Sequence, residues 1–269
     1  MYSGWIKKID VDFVVHRKLW EWGYIAQVLY ERGMLVPDKR GLGFAVGKEQ
    51  LVSLFAKHGV KILATDIGVD HTAAAVWVDT NAHSSTLTDL FYPNVCDNET
   101  FFDNVQFQPL DMNNIPDDLS GFDFCWSSSA FEHLGTVDKG REFVLNSLKV
   151  LKPGGISVHT TDYNITSDFN VDIPHMAVFG RSFFEQLRNE TEKMGHTFLP
   201  FDLRLGNSPA DDCVYWEGED EYRMKQLLAG YITTSISLVI RITGRSSSKV
   251  IIIKTLNISI LQIHNLMWL

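Results

Sequence analysis

The chain has 269 residues, 45% of them apolar, and a formal net charge of −9. That length suits one large domain, or one domain with an appendage, and the apolar share is enough for a substantial core. The acidic balance argues against nonspecific nucleic-acid binding, which depends on neutralising phosphates, and Cys96, Cys125 and Cys213 are too few and too scattered for a disulfide framework or a zinc site.

Lys7, Lys8, Asp10 and Asp12 interrupt the first apolar stretch, so the start of the chain does not read as a signal peptide. Residues 16–32 place Leu19, Trp20, Trp22, Tyr24, Ile25, Val28 and Leu29 at spacings that suit a helix packed on a sheet. A short strand is expected over 40–44, a helix over 48–58 and a second strand over 61–65. Residues 68–106 are harder to read. Ala73, Ala74, Ala75 and Trp77 suggest a helical start, and 94–99 looks like a loop. Val105–Gln108 reads as a third strand and Phe122–Ser127 as a fourth. A helix over 137–150 should stop at Lys152-Pro153-Gly154-Gly155, because proline and glycine break helices. A fifth strand follows at 155–160, then a polar insertion at 164–175, a helix at 182–194, and two β-like runs at 196–203 and 232–242. Residues 249–269 are rich in Ile and Leu but broken by Lys254, Asn257, Gln262 and His264, so they read as an extra strand or a loosely held tail rather than a membrane anchor. Strands alternating with helices at this spacing point to a parallel, doubly wound sheet.

The densest signal is Gly41-Leu42-Gly43-Phe44-Ala45-Val46-Gly47-Lys48-Glu49, followed by Ile62-Leu63-Ala64-Thr65-Asp66. Glycines permit a sharp turn and close approach of a ligand. A helix N-terminus beside the turn would carry partial positive charge. Asp66 lies about 20 residues past the glycines, the spacing at which a carboxylate can take both hydroxyls of a ribose. The segment therefore reads as one that holds a nucleoside.

Four further pieces sharpen this. They are Asp66 ending strand two, the run Pro109-Leu110-Asp111-Met112-Asn113-Asn114-Ile115-Pro116, the run from Phe122-Asp123 to Glu132-His133-Leu134, and Leu151-Lys152-Pro153-Gly154-Gly155. Together they resemble the class I S-adenosylmethionine-dependent methyltransferases over roughly residues 40–242. More narrowly, the chain is similar to bacterial methyltransferase-domain proteins, some of them associated with surface glycan assembly. The resemblance implies a Rossmann-like, mostly parallel sheet with an antiparallel edge strand and helices on both faces. It implies an N-terminal helical extension at 1–38, an S-adenosyl-L-methionine-binding domain at 39–245 and a tail at 246–269. It also implies a cytoplasmic enzyme acting on a hydroxyl or amine of a small molecule or glycan precursor; the acidic balance and the lack of an Asn/Asp-Pro-Pro-aromatic motif after strand four argue against a nucleic-acid partner.

By the same resemblance, Gly43, Ala45 and Gly47 approach the methionine part of the cofactor and Asp66 takes the ribose hydroxyls. Asp111 accepts from the adenine amino group with Met112 behind the ring, and Ser127 and Ser128 line the methionine end. Two departures stand out. Gly41 occupies a position where the family often carries an acid, and Ala45 replaces the middle glycine. Glu49 either supplies the missing carboxylate or favours a helix N-terminus.

Methyl transfer to oxygen needs a base, and His133, past strand four, is the candidate; the alternative is that it orients a loop or packs on the cofactor. Glu132 is a candidate cofactor or substrate contact. Asp162 and Tyr163, past strand five, are candidate acceptor contacts or turn residues, and His159 reads as a core residue. No metal is expected, because Asp211-Asp212 and Glu217 to Glu221 look like solvated charge runs. A nicotinamide-dependent oxidoreductase and a non-catalytic cofactor-binding module are the competing readings.

Overall fold

The structure is a computed structural model that describes residues 2–12, 14–201, 203, 214–215 and 222–243. The tail at 246–269, Cys213 and the acidic runs at 211–212 and 217–221 lie outside the described residues. The principal elements in chain order are α1 (Tyr2–Lys8), α2 (Arg17–Glu31), β1 (Arg40–Gly43), α3 (Leu51–Lys57) and β2 (Lys61–Asp66). A single 3₁₀ turn then leads into α4 (Ala75–Asp79), followed by α5 (Asn98–Asn104), β3 (Val105–Pro109) and β4 (Phe122–Ser128). The chain continues through α6 (Val137–Ser147), β5 (Leu151–Asn164), α7 (Arg181–Lys193), β6 (Lys225–Leu228) and β7 (Tyr231–Arg241).

The main sheet runs β3-β2-β1-β4-β5-β7-β6, with two-residue strands at 214–215 beside β6 and 197–198 beside β7. Strands β1 to β5 run parallel to one another, and β7 is antiparallel to both β5 and β6. The expected antiparallel strand thus stands one place in from β6. Side chains alternate faces along each strand. Phe124 and Trp126 enter one apolar core with α1, α2 and α3, and Cys125 enters the other with α6 and α7.

The glycines of β1 follow from register. Gly41 lies opposite Phe124 and Gly43 opposite Trp126. A Cβ on Gly41 would sit 2.4 Å from the Phe124 ring, and one on Gly43 2.5 Å from the Trp126 ring. Both glycines make room for aromatic side chains of the neighbouring strand.

Several expectations change. Helix α3 starts at Leu51 with Gln50 as its N-cap, so the glycine turn does not abut a helix N-terminus. Residues 94–99 are a turn running into α5, whose N-cap Asp97 accepts from the Thr100 N–H at 2.9 Å. The Lys152-Pro153-Gly154-Gly155 run does not end the helix. Helix α6 already stops at Ser147, and this run forms a bulge inside β5, between the Phe122–Leu151 and Phe124–Ile156 pairs. Strand β5 also continues four residues past the expected end, to Asn164. The polar insertion contains a small hairpin, Val171–Ile173 with Met176–Val178, whose Asp172 accepts from the Val137 N–H at the start of α6 at 2.7 Å. Of the expected β run at 196–203, Thr197–Phe198 forms strand.

Candidate functional site

Strand order reverses direction of growth between β1 and β4. In an open parallel sheet, the crevice beyond the carboxyl ends of the strands at that switch point is where ligands bind. Here it is flanked by the turn at 43–47 on one side and by residues 127–132 on the other.

The β1 side is held by backbone contacts. The Phe44 N–H donates to Trp126 O at 2.9 Å and the Val46 N–H to Thr65 O at 3.0 Å. The Thr65 hydroxyl donates to Gly43 O at 2.8 Å. Ala45 and Gly47 both take positive φ, 46° and 51°. Ala45 therefore holds a left-handed conformation that glycine adopts more readily, at a strain of about 1 kcal/mol. Glu49 turns inward. It is buried, and its Oε1 accepts the Trp126 indole N–H at 2.7 Å. Burial pushes its carboxyl up to about 7, against the pull of Lys18 and the indole bond.

Asp66 ends β2 and is almost fully buried. Its Oδ2 accepts the N–H groups of Gly47 and Ser84, each at 3.2 Å, and its Oδ1 accepts the Ile67 N–H at 2.8 Å. Burial raises its pKa, and these amide bonds with His83 oppose the rise. A carboxylate offers about four lone-pair sites, so one site on Oδ1 remains for a ligand hydroxyl. The segment at 82–84 lies directly on the turn. Ala82 O is 2.8 Å from where a Gly47 Cβ would be, and the Ser84 hydroxyl donates to Gly47 O. Beside Asp66, the Leu110 N–H donates to Asp66 O at 2.7 Å, which places Asp111 and Met112 next to the end of β2. The Asp111 carboxylate accepts the Asn113 N–H at 2.8 Å and the Asn114 side-chain amide at 2.5 Å, closing its own loop. Met112 is buried in the second core.

On the β4 side the two serines part. The Ser127 hydroxyl is paired with His159 Nδ1 at 2.8 Å, and the Ser147 and Ser157 hydroxyls meet His159 Nε2. Ser127 is thereby turned toward α6, and His159 is a core residue whose pKa burial lowers to about 3. Ser128 faces α2, donating to Glu21 Oε2 at 3.0 Å. Tyr163 parts from Asp162 in the same way. It packs edge-on against Phe184 of α7 at 5.8 Å, while Asp162 meets Arg17 of α2.

Sequence reasoning placed α2 but singled out none of its polar side chains. Arg17 pairs with Asp162, whose other oxygen accepts from Gln226 Nε2 at 3.1 Å. Lys18 Nζ donates to Ser128 O at 2.7 Å and lies 3.8 Å from Glu21 Oε2. Glu21 is wholly buried and gathers the hydroxyls of Ser128, Ser129, Thr160 and Ser235. Burial alone would raise its pKa, but Lys18, Arg17 and the hydroxyls pull it below the ordinary carboxylate range. Glu132, on the short turn Phe131–Leu134, is also wholly buried. Its Oε2 accepts the Thr161 hydroxyl at 2.9 Å and its Oε1 has no hydrogen-bond partner. Burial pushes both Glu132 and Asp162 up to about 7. Burial lowers His133 to about 4, and its ring stacks edge-on against Trp77 of α4 at 4.7 Å. Among the described residues no cluster of three or more His, Cys, Asp or Glu is arranged to hold a metal, and no helix is long and apolar enough to cross a membrane.

The family described as "Methyltransferase domain" matches residues 42–159, which span β1 to the middle of β5. The chain carries a methyltransferase domain over these residues, somewhat under half of its length, and its sheet has the class I S-adenosylmethionine-dependent methyltransferase fold. A Galdieria sulphuraria protein assigned as a sarcosine dimethylglycine methyltransferase shares the fold, with a TM-score of 0.53 and 16% identity over 90% of this chain and 98% of that one. So does the magnesium protoporphyrin IX methyltransferase of Synechocystis PCC 6803 with bound SAH, with a TM-score of 0.50 and 9% identity over 90% and 95% of the two chains. The [4+2]-cyclase SpnF is similar at a TM-score of 0.50 and 16% identity, over 82% and 81%. No curated protein sequence matches the chain.

Proposed function

We propose that the enzyme methylates a hydroxyl or amine of a small molecule or glycan precursor, with the donor over the β1–β2 half of the crevice and the acceptor over the β4–β5 half. The observation that carries this division is Asp66. Its buried carboxylate keeps one acceptor site beside the glycine turn and beside Asp111. That donor and acceptor set fits a nucleoside, and a ribose hydroxyl donating to an ionised carboxylate is a charge-assisted bond, the stronger kind.

S-Adenosylmethionine, when bound, supplies a methyl group activated by the sulfonium to which it is attached. The chain's part is to hold and orient. In this reading Asp66 takes one ribose hydroxyl directly, Asp111 and Met112 flank the adenine, and the backbone from Gly43 through Ala45 to Gly47 lies along the methionine part. Glu49 fixes that turn to Trp126, and Ser128 borders the methionine end. Ser127 supports β4 from behind through His159. With a pKa of about 4, His133 is a weak proton acceptor near neutrality, and packing on Trp77 is the role we assign it. Asp162 and Glu132 face the acceptor; Tyr163 belongs to the core beneath it.

Isothermal titration tests the reading. S-Adenosylhomocysteine should bind the wild type and NAD should not. Binding of NAD without S-adenosylhomocysteine would sink it.

A further inference from the structure

The surroundings of Glu132 identify the class of acceptor, an inference that rests on the methyltransferase reading above. Glu132 Oε1 is buried without a well-formed hydrogen bond, its own backbone N–H being the one amide that acts on the carboxyl, while Oε2 is anchored to Thr161 on β5. A buried carboxylate oxygen left unpaired is costly and calls for an explanation. Glu21 and Arg17 from α2 and Asp162 from β5 act on it directly; beyond them Lys18 is held against Glu21 and His133 against Asp162. Full ionisation of Glu21, Glu132 and Asp162 with His133 neutral would set three carboxylates against Arg17 and Lys18; burial holds Glu132 and Asp162 at about 7, and one further cation would let both ionise fully. The position of the cluster also matters. The anchor strand β5 is two strands removed from β1 and its glycine turn, so the vacancy in hydrogen bonding lies on the acceptor side rather than the donor side.

We infer that the acceptor enters as a primary or secondary alkylammonium, donates an N–H to Glu132 Oε1, and gives that proton to Glu132. In this step the N–H bond breaks, its electron pair stays on nitrogen as the lone pair, and an O–H bond forms on Oε1. Nothing is oxidised or reduced. The lone pair so released is the nucleophile that methyl transfer requires. Thermodynamics favours nitrogen over oxygen here. An alkylammonium resembles lysine, with a pKa near 10.4, and Glu132 stands at about 7. A hydroxyl resembles water, whose pKa lies far above that of an alkylammonium and far beyond such a base.

The test uses the full chain saturated with S-adenosylhomocysteine near neutral pH. Calorimetry compares methylamine with methanol, butylamine with 1-butanol, and benzylamine with benzyl alcohol. At least one amine should bind about tenfold or more tightly than its alcohol. Glu132→Gln, which keeps the volume, should lose that preference while its affinity for S-adenosylhomocysteine is unchanged. If Glu132→Gln does not fold, Glu132→Asp decides, because it keeps the charge but withdraws it by one methylene; the same loss is expected. The inference is overturned if no amine outbinds its alcohol, or if the preference survives in the variant. It is also overturned if Glu132→Gln weakens S-adenosylhomocysteine instead, which would assign the residue to the donor. Failure of the wild type to bind S-adenosylhomocysteine at all would strike the underlying reading, and the two failures are distinguishable.

Discussion

The Ser128 hydroxyl donates to Glu21 Oε2 at 3.0 Å, joining the end of β4 to the first turns of α2. The same carboxylate takes hydroxyls from Ser129, Thr160 and Ser235, so one buried charge ties α2 to β4, β5 and β7. It also holds Ser129 at a positive φ of 44°, a conformation a non-glycine residue keeps only when its surroundings impose it. Glu21→Ala removes the acceptor from four hydroxyls and leaves Lys18 without its counter-charge. It should lower stability by about 3–5 kcal/mol, read from urea denaturation. A loss below about 1 kcal/mol would mean the network does not hold the helix.

Gly41→Ala and Gly43→Ala test the register of β1. Each added methyl meets an aromatic ring at 2.4–2.5 Å, well inside contact distance. Overpacking of this kind destabilises by about 1–3 kcal/mol. Ala45→Gly should act differently. It relieves the left-handed strain but adds freedom to the unfolded chain, and these oppose each other at about 1 kcal/mol each. Melting curves should therefore show two clear losses and a near-neutral third variant.

The sheet was legible because its strands are short apolar runs bounded by Gly, Pro and Asp, and because Asp66 ends its strand and Asp111 lies two residues past the next, where a binding crevice must open. The serines at 127 and 128 were legible only as a pair. Period-two alternation sends them to opposite faces, and applying it would have sent Ser127 toward His159. Tyr163 and Asp162 divide by the same rule. The α2 cluster was missed because polar residues at 17, 18 and 21 look like a solvated helix face. A signal was nonetheless present. Glu21 lies on the stripe with Ile25 and Val28, at spacings of four and seven, flanked by Trp20 and Trp22. A carboxylate on an apolar stripe marks a buried charge rather than a surface one. The bulge at 152–155 was misread because Pro-Gly-Gly breaks a helix and bends a strand equally well.

Asp66→Ala should weaken S-adenosylhomocysteine binding about 10- to 100-fold, the worth of one hydrogen bond to a charged group. It also frees the N–H groups of Gly47, Ile67 and Ser84, so the variant should melt lower. Asp66→Asn separates the effects. It restores acceptance from amides through its carbonyl oxygen but brings a donor to the ribose. Titration below both melting temperatures should show weak binding in each variant, with stability partly recovered in Asp66→Asn. Undiminished binding in Asp66→Ala would remove Asp66 from the donor site.

Buried groups on β5 and on the turn after β4 pull stability in opposite directions with pH. Glu132 and Asp162 titrate at about 7 in the folded protein, against ordinary values of 4.5 and 3.8. The native state therefore binds their protons more tightly than the unfolded state, and stability falls as pH rises from those ordinary values to about 7. His133 and His159 are lowered to about 4 and about 3 from 6.5. The unfolded state binds those protons more tightly, so their contribution rises with pH up to 6.5 and then stays constant. The two trends overlap below 6.5 and conceal each other in the wild type. Comparing the wild type with Glu132→Gln separates them, because the histidine contribution is common to both. The stability of Glu132→Gln relative to wild type should climb between about pH 4.5 and about pH 7, no more steeply than about 1.4 kcal/mol per pH unit, the limit for one proton. Above that range the difference should level off. Denaturation curves at pH values across this range measure it, and a difference that is flat or falls with pH would show that Glu132 is ionised and satisfied in the folded protein.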